Sequence, residues 1–361
     1  MKILQLTYDL STGGAERFVV DLCNSLEPNH VVVLVSIVNN NEPNREFYLP
    51  ELSPSVRYIN LQCKKGVGFQ ALHRICRIIS VEKPDVVHAH CHLTQILLPS
   101  LIYPRIKFVH TLHSLAQRCL QWRWMKNIYK WFYQHKIKGV TISPICHESF
   151  VTLYHANCDE CIYNGRTAIS TTSKLQEVEF EVSKIKVHSD DIIFIHIARF
   201  HAVKNQLLLL KTFSRLINEG KHVQLIVIGG GFPNDMKEKY NQIPGIAFLG
   251  EKTNVGDYLS NAAYFVLSSL MEGLPITLLE AMSLGVIPVS TPAGGVSDVI
   301  IDGKNGFLSP SFSDDDFYNT IIRALDNKEC ITKDKVLLSY SENYSMKKCS
   351  GNYETLYEKL I

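Results

Sequence analysis

Ala263-Tyr264-Phe265-Val266-Leu267, then Ser268-Ser269-Leu270-Met271-Glu272-Gly273-Leu274-Pro275, then Ile276-Thr277-Leu278-Leu279-Glu280-Ala281-Met282, reads as strand, loop and helix. The opening apolar run has the length and continuity of a parallel strand buried on both faces. Pro275 suits the first turn of a helix, where its missing N–H leaves no bond unmade. Leu278, Leu279, Ala281 and Met282 supply that helix with an inward stripe. Glu272 is therefore expected in a loop at a strand's carboxyl end, and Glu280 about one and a half helical turns beyond the loop. A strand end beside a helix N-terminus is where open α/β sheets bind anions and nucleotides. There Glu280 can accept hydrogen bonds from both hydroxyls of a ribose, and Glu272 can hold hydroxyls of a sugar near the phosphate. Taken alone, the two acids would read as a solvated loop glutamate and an ordinary helix-face glutamate.

The same alternation extends through the chain. Strands are expected at Lys2–Thr7, His30–Ile37, Asp85–His90, Lys107–Leu112 and Gly139–Ser143, with helices at Ala15–Leu26, Phe69–Val81, Leu93–Ile102 and, as one long element, Gln117–Lys138. A polar loop rich in Asn and Pro follows the second strand. From Asn164 to Asp190 the sequence turns polar, with a mixed-charge helix candidate, and this marks the boundary between two halves. The pattern restarts with strands Ile192–Ile197, Val223–Ile228, Ile246–Leu249 and Val286–Val289, and a helix over Asn205–Glu219. Such alternation implies parallel sheets with helices on both faces and right-handed crossovers. The expected division is a first domain over 1–168, a linker over 169–190 and a second domain over 191–343. The last segment, 344–361, carries Tyr353, Leu356 and Leu360 on one stripe.

A length of 361 residues suffices for two α/β domains with separate cores. The net charge of +2 gives no support to nucleic-acid binding. The opening stretch does not resemble a signal peptide, and no apolar run approaches the roughly 20 residues that span a bilayer. Ten scattered cysteines fit a reducing cytoplasm. Cys158 and Cys161 form a lone C-x-x-C without the second ligand pair that zinc would want. His88, His90 and His92 alternate along one strand without completing a metal site. Asp314-Asp315-Asp316 reads as a helix start, not as metal ligands.

Glu-Gly-Leu-Pro through Glu-Ala-Met, followed by Gly285-Val286-Ile287-Pro288-Val289 and Gly294-Gly295, resembles the nucleotide-sugar site of the retaining family-four glycosyltransferases (glycosyl transferases group 1). The resemblance spans nearly the whole chain and is strongest from Ile192 to Leu308. It implies the GT-B architecture: two Rossmann-like parallel-sheet domains facing a cleft, with the last helix crossing back onto the first domain. It also implies transfer of a sugar, retaining and metal-independent, from a nucleoside-diphosphate sugar of UDP type. No cofactor is expected. The implied acceptor is a glycan or lipid-linked saccharide for a bacterial surface polysaccharide.

In Ala198-Arg199-Phe200-His201-Ala202-Val203-Lys204-Asn205, the resemblance assigns Arg199 and Lys204 to the donor phosphate. His113, in Val109-His110-Thr111-Leu112-His113-Ser114, matches the family's active-site histidine beside the transferred sugar. Glu272 completes the catalytic group. Gly273, Leu274, Pro275 and Glu280 are assigned to donor binding. Gly230, within Gly229-Gly230-Gly231, lets backbone approach the nucleotide. Gly13 and Gly14 occupy the first βα turn of the first domain, where amide groups can face a diphosphate; they lack the G-x-G-x-x-G spacing of a dinucleotide fold. Asn164-Gly165 and Asp302–Leu308 resemble the family's turns and serve backbone geometry. A nucleotide-sugar epimerase or phosphorylase of the same fold remains an alternative, as does a catalytically silent nucleotide-sugar-binding subunit.

Between Gln117 and Lys138 lie all three tryptophans with Arg118, Arg123, Lys126, Lys130, Lys136 and Lys138, and no acid. Two readings fit this segment: aromatic rings and bases in the headgroup region of an anionic membrane, or aromatics packed on the first domain with bases in water. Peripheral contact at the inner face of the plasma membrane would serve a lipid-linked acceptor.

Overall fold

The computed structural model describes residues 1–38, 45–64 and 68–361. The Asn- and Pro-rich loop expected after the second strand falls on 39–44, outside the described residues. The chain forms two compact units, Met1–Thr167 with Met346–Ile361, and Ala168–Ser345.

The first unit holds strands β1 (Lys2–Thr7), β2 (Val31–Val38), β3 (Arg57–Cys63), β4 (Val86–Ala89), β5 (Lys107–Leu112), β6 (Ile137–Thr141) and β7 (Asp159–Cys161). They form one parallel sheet in the order β3-β2-β1-β4-β5-β6-β7. Alternate residues feed two cores. Leu4, Leu6, Val33 and Val35 pack with the helix Phe69–Glu82 on one face, while Ile3, Val32 and Leu34 pack with the helix Gly14–Leu26 on the other. Met346, Cys349, Tyr353, Leu356 and Tyr357 of the last helix, Met346–Leu360, belong to that second core.

The second unit holds β8 (Ile192–Ile197), β9 (Val223–Ile228), β10 (Ile246–Gly250), β11 (Tyr264–Leu267), β12 (Ile287–Ser290) and β13 (Phe307–Leu308), ordered β10-β9-β8-β11-β12-β13 and parallel throughout. Residues 169–190, read from the sequence as a linker, lie within this unit. Their helix Leu175–Ile185 buries Val178 and Val182, and Tyr258 Oη donates to Glu181 (2.6 Å).

Three local expectations are corrected. The long helix over Gln117–Lys138 is instead a short helix Ala116–Cys119, a 3-10 turn Arg123–Met125 and a helix Lys126–His135. Leu120 and Trp122 are extended, which stops the first piece, and Ile137 leaves the helix to pair with Phe108 of β5. Edge strand β3 has a mixed, mostly half-buried pattern and gave no apolar run to read. Pro275 is the N-cap, not the first helical residue, of the helix Ile276–Ser283.

Candidate active site

In each sheet the strand order reverses beside the first strand, between β1 and β4 and between β8 and β11. The crevice beyond the carboxyl ends at such a reversal is the usual ligand site of a doubly wound sheet. In the second unit, β8 runs out into Arg199 and the turn Ala202–Lys204, and β11 runs out into Ser268–Pro275. Backbone and side chains tie these two loops together. Leu270 N donates to Val203 O (2.8 Å), and Ser268 Oγ donates to Lys204 O (3.0 Å). Above them Lys204 Nζ donates to Glu272 Oε1 at 2.7 Å, and Ser269 Oγ donates to the same oxygen at 2.6 Å. The Glu272 side chain is largely buried, whereas Lys204 keeps about a quarter of its surface exposed.

Arg199 is exposed on the same rim, and its carbonyl accepts from the buried Gln206 side chain (3.1 Å). Phe200 N donates to Gly230 O (2.8 Å), so the glycine loop after β9 is stitched to the one after β8. The backbone demand falls on Gly229, at φ +143°, where a Cβ would run into the Ala198 carbonyl. Gly295 packs against the loop after β11: its N–H donates to Glu272 O (3.1 Å), and a Cβ would overlap the Gly273 carbonyl oxygen. Leu274, Pro275 and Glu280 are buried on or beside the helix that follows. The second unit thus gathers Arg199, Lys204, Gly230, Glu272, Gly273, Leu274, Pro275 and Glu280 around one strand reversal. The residues Ser269, Gln206 and Gly229 were not singled out from sequence; as a serine, a glutamine and one glycine of three, they carry no spacing signal.

In the first unit, Gly13 caps the helix Gly14–Leu26 after β1, and His113 follows β5. The Glu16 carboxyl group lies over Gly13, where it would meet an added Cβ, so this helix start is lined by its own acid. Burial raises the Glu16 pKa, partly opposed by a backbone hydrogen bond and reinforced by Asp9. Phe18 of that helix packs edge-on against His113, ring centroids 5.3 Å apart. His113 Nε2 meets His90 Nδ1 at 2.9 Å, and burial lowers the His113 pKa to about 3, with His110 adding to the effect.

All ten cysteines are free thiols. Asp190, Asp191 and His222 have ligand atoms within 4.8 Å of one another, but they precede β8 and β9 and so lie at the opposite strand ends from Arg199. Asp302, in the expected glycine turn, is held by Arg323 through two bonds of 2.7 and 2.8 Å, a framework role.

The sequence model described as "Glycosyltransferase Family 4" matches residues 12–166, and that described as "Glycosyl transferases group 1" matches residues 177–341. The chain belongs to the family 4, group 1 glycosyltransferases. Among curated members it is 24% identical to the UDP-Gal:alpha-D-GlcNAc-diphosphoundecaprenol alpha-1,3-galactosyltransferase of Escherichia coli, covering 85% of this chain and 80% of that one. It is likewise 24% identical to the N-acetyl-alpha-D-glucosaminyl L-malate synthase of Bacillus anthracis, over 80% and 78% of the two chains. Among solved structures, Anabaena HepE in complex with UDP matches all of both chains at a TM-score of 0.81 and 16% identity. That likeness speaks for the fold: two Rossmann-like parallel-sheet units of the GT-B glycosyltransferases.

Proposed function

We propose that this glycosyltransferase is a retaining, metal-independent enzyme that moves a sugar from a UDP-sugar to a glycan or lipid-linked saccharide acceptor. The observation that carries the reading is the Lys204–Glu272 pair, 2.7 Å apart at the strand reversal of the second unit and just before a helix start. Breaking the anomeric C–O bond puts negative charge on the departing diphosphate. Arg199 and Lys204 supply fixed positive charge for it, which stabilises the transition state more than the ground state. Glu272, anchored by Lys204 and Ser269, is oriented to accept from sugar hydroxyls, and Glu280 is assigned to the ribose. His113 is assigned to a hydroxyl of the transferred sugar, and Gly13–Gly14 to the diphosphate. The first unit takes the acceptor. Retention follows from same-face attack, with the leaving phosphate as base. The one relative reported above with UDP-Gal and diphosphoundecaprenol in its name supports the UDP donor and the lipid-linked acceptor.

A panel of nucleotide sugars tested for protection against thermal unfolding identifies the donor, since a ligand bound to the native state raises its stability. With that donor, nucleoside diphosphate should appear only when acceptor is present, the anomeric configuration should persist in the product, and chelator should leave the rate unchanged. Release without acceptor, an inverted product or a chelator-sensitive rate would each contradict one element of the proposal.

The Trp-rich segment supports a place at the inner face of the plasma membrane. Tyr129, Phe132 and Tyr133 are buried, but Trp122, Trp124 and Trp131 are exposed, Trp124 by 70%, among Arg118, Arg123, Lys126 and Lys130. Aromatic rings with bases and no acid complement an anionic lipid surface. Among the described residues no helix is long and apolar enough to cross a membrane. Sedimentation with phosphatidylglycerol vesicles, but not with phosphatidylcholine vesicles, is expected, and a Trp124→Ala, Lys126→Ala variant should lose it. Equal binding to both lipids, or to neither, would remove the membrane from the proposal.

A further inference from the structure

The face of the first sheet that carries His113 has a polar network beneath it that the transfer reading does not use. Gln5 of β1 is fully buried; its Oε1 lies 2.8 Å from His90 Nε2, and its Nε2 lies 3.3 Å from Tyr357 Oη. Tyr357 Oη in turn lies 2.6 Å from His88 Nδ1, and His88 Nε2 lies 2.8 Å from Thr111 Oγ1, which meets Tyr353 Oη at 2.9 Å. The last member on the other side is His113, bonded through His90 Nδ1. In this network His88, His90 and His113 bond to an amide, to hydroxyls and to one another, with no carboxylate among these partners. Burial keeps His88 and His90 neutral, and the neighbouring histidines disfavour a charge further.

Neutral rings in a chain like this have linked tautomers. A nitrogen that donates on one side obliges the other to accept. Two arrangements satisfy every bond from Tyr353 to His90: one with the Gln5 amide as placed, its Oε1 accepting from His90 Nε2 and its Nε2 donating to Tyr357 Oη, and one with that amide turned over and every donor reversed. They are not equal at the far end. In one, His113 carries its proton on Nε2 and gives it to His90, leaving Nδ1 a bare lone pair. In the other, His113 Nδ1 carries an N–H, and that atom is buried with no partner. A buried N–H without an acceptor is the costlier defect, since orphaned donors are rarer than under-used acceptors.

We propose that Gln5, His90 and Tyr357 are positioning residues that hold His113 as the Nε2–H tautomer, so that Nδ1, covered in the ligand-free chain, can accept only from a donor hydroxyl once a sugar uncovers it, and cannot meet an acceptor group. This rests on the assignment of His113 to a sugar hydroxyl. It adds a selection rule: the group met by His113 is a hydroxyl that donates, and a ligand offering only an oxygen acceptor there is rejected. A deoxy or O-methylated sugar at that hydroxyl loses the contact.

Long-range proton–nitrogen correlation on protein labelled at histidine nitrogens tests it, with His113→Gln identifying the His113 signals. The expected result is a protonated Nε2 and a bare Nδ1, unchanged from about pH 8 to about pH 5.5. A protonated Nδ1, an averaged pair of tautomers, or conversion to imidazolium in that window would overturn the proposal. In kinetics, His90→Phe should lower kcat about 10- to 100-fold with donor KM little changed, and His90→Asn, whose carbonyl can accept from His113, should recover most of the loss. Equal losses in the two variants would reduce His90 to a packing residue and overturn the relay. Should the wild-type chain turn over no donor at all, the transfer reading fails, while the nitrogen spectra still decide the tautomer.

Discussion

Lys204 and Glu272 stand 68 positions apart in sequence and meet because the strands that precede them are neighbours across the sheet reversal. The pair has two functions to separate. Removing the cation in Lys204→Met leaves a largely buried carboxylate still bonded to the Ser269 hydroxyl, and removes positive charge facing the departing diphosphate. Transfer should fall about 100-fold or more. Lys204→Arg should not restore it, because a guanidinium reaches a different point than a single ammonium. Steady-state kinetics beside a thermal melt checks this; a drop in activity matched by loss of folded protein would not count as support. Gly295→Ala probes the neighbouring backbone. Its Cβ overlaps the Gly273 carbonyl, so the Glu272–Leu274 loop must shift, at a cost of about 1–3 kcal/mol. A urea midpoint equal to wild type would contradict that close approach. Their places at strand ends were legible from the strand pattern, while the roles assigned to them came from the family resemblance. Ser269 and Gln206 were not, since what they do depends on which loop packs beside them.

Elements were readable where they carry apolar runs. Strands β1, β5, β8 and β9 stand where the sequence put them, because each is buried and bounded by polar turns. Edge strand β3 was missed: it pairs on one side, is partly solvated, and lacks a continuous stripe. The segment after β5 was read as one helix, but pairing of β6 with β5 claims its last residues. The final helix is the element with most at stake. Tyr357→Phe removes the hydroxyl shared by Gln5 and His88, and should destabilise the chain by about 1–3 kcal/mol through unmet buried polar atoms. Chemical denaturation monitored by tyrosine and tryptophan signals reads it; a neutral substitution would mean that water replaces the hydroxyl.

At the scale of the molecule, both units depend on histidines kept neutral inside. Burial lowers His110 and His196 to about 4 and His113 to about 3, and places His88 and His90 well below their ordinary value. Unfolding frees these rings to bind protons that the native chain refuses. Stability is therefore fully present above about pH 6.5 and is lost as pH falls, by up to about 1.4 kcal/mol per pH unit for each histidine. Urea midpoints should decline steadily from about pH 6.5 toward pH 4.5; a constant midpoint over that range would show that the rings titrate freely. The division into units makes a second prediction. A fragment spanning 168–345 contains its own sheet and should unfold cooperatively, whereas 1–167 lacks Met346, Cys349, Tyr353, Leu356 and Tyr357 from its core and should not.

The last helix also fixes an order of events during synthesis. A ribosome delivers Met1–Thr167 first, yet that unit's second core stays open until residues 346–360 have emerged. The unit translated second closes before the one translated first. Nascent chains stalled before residue 346 would leave Phe18 without the Tyr353 ring that packs on it, an exposed apolar helix face and a natural target of a chaperone.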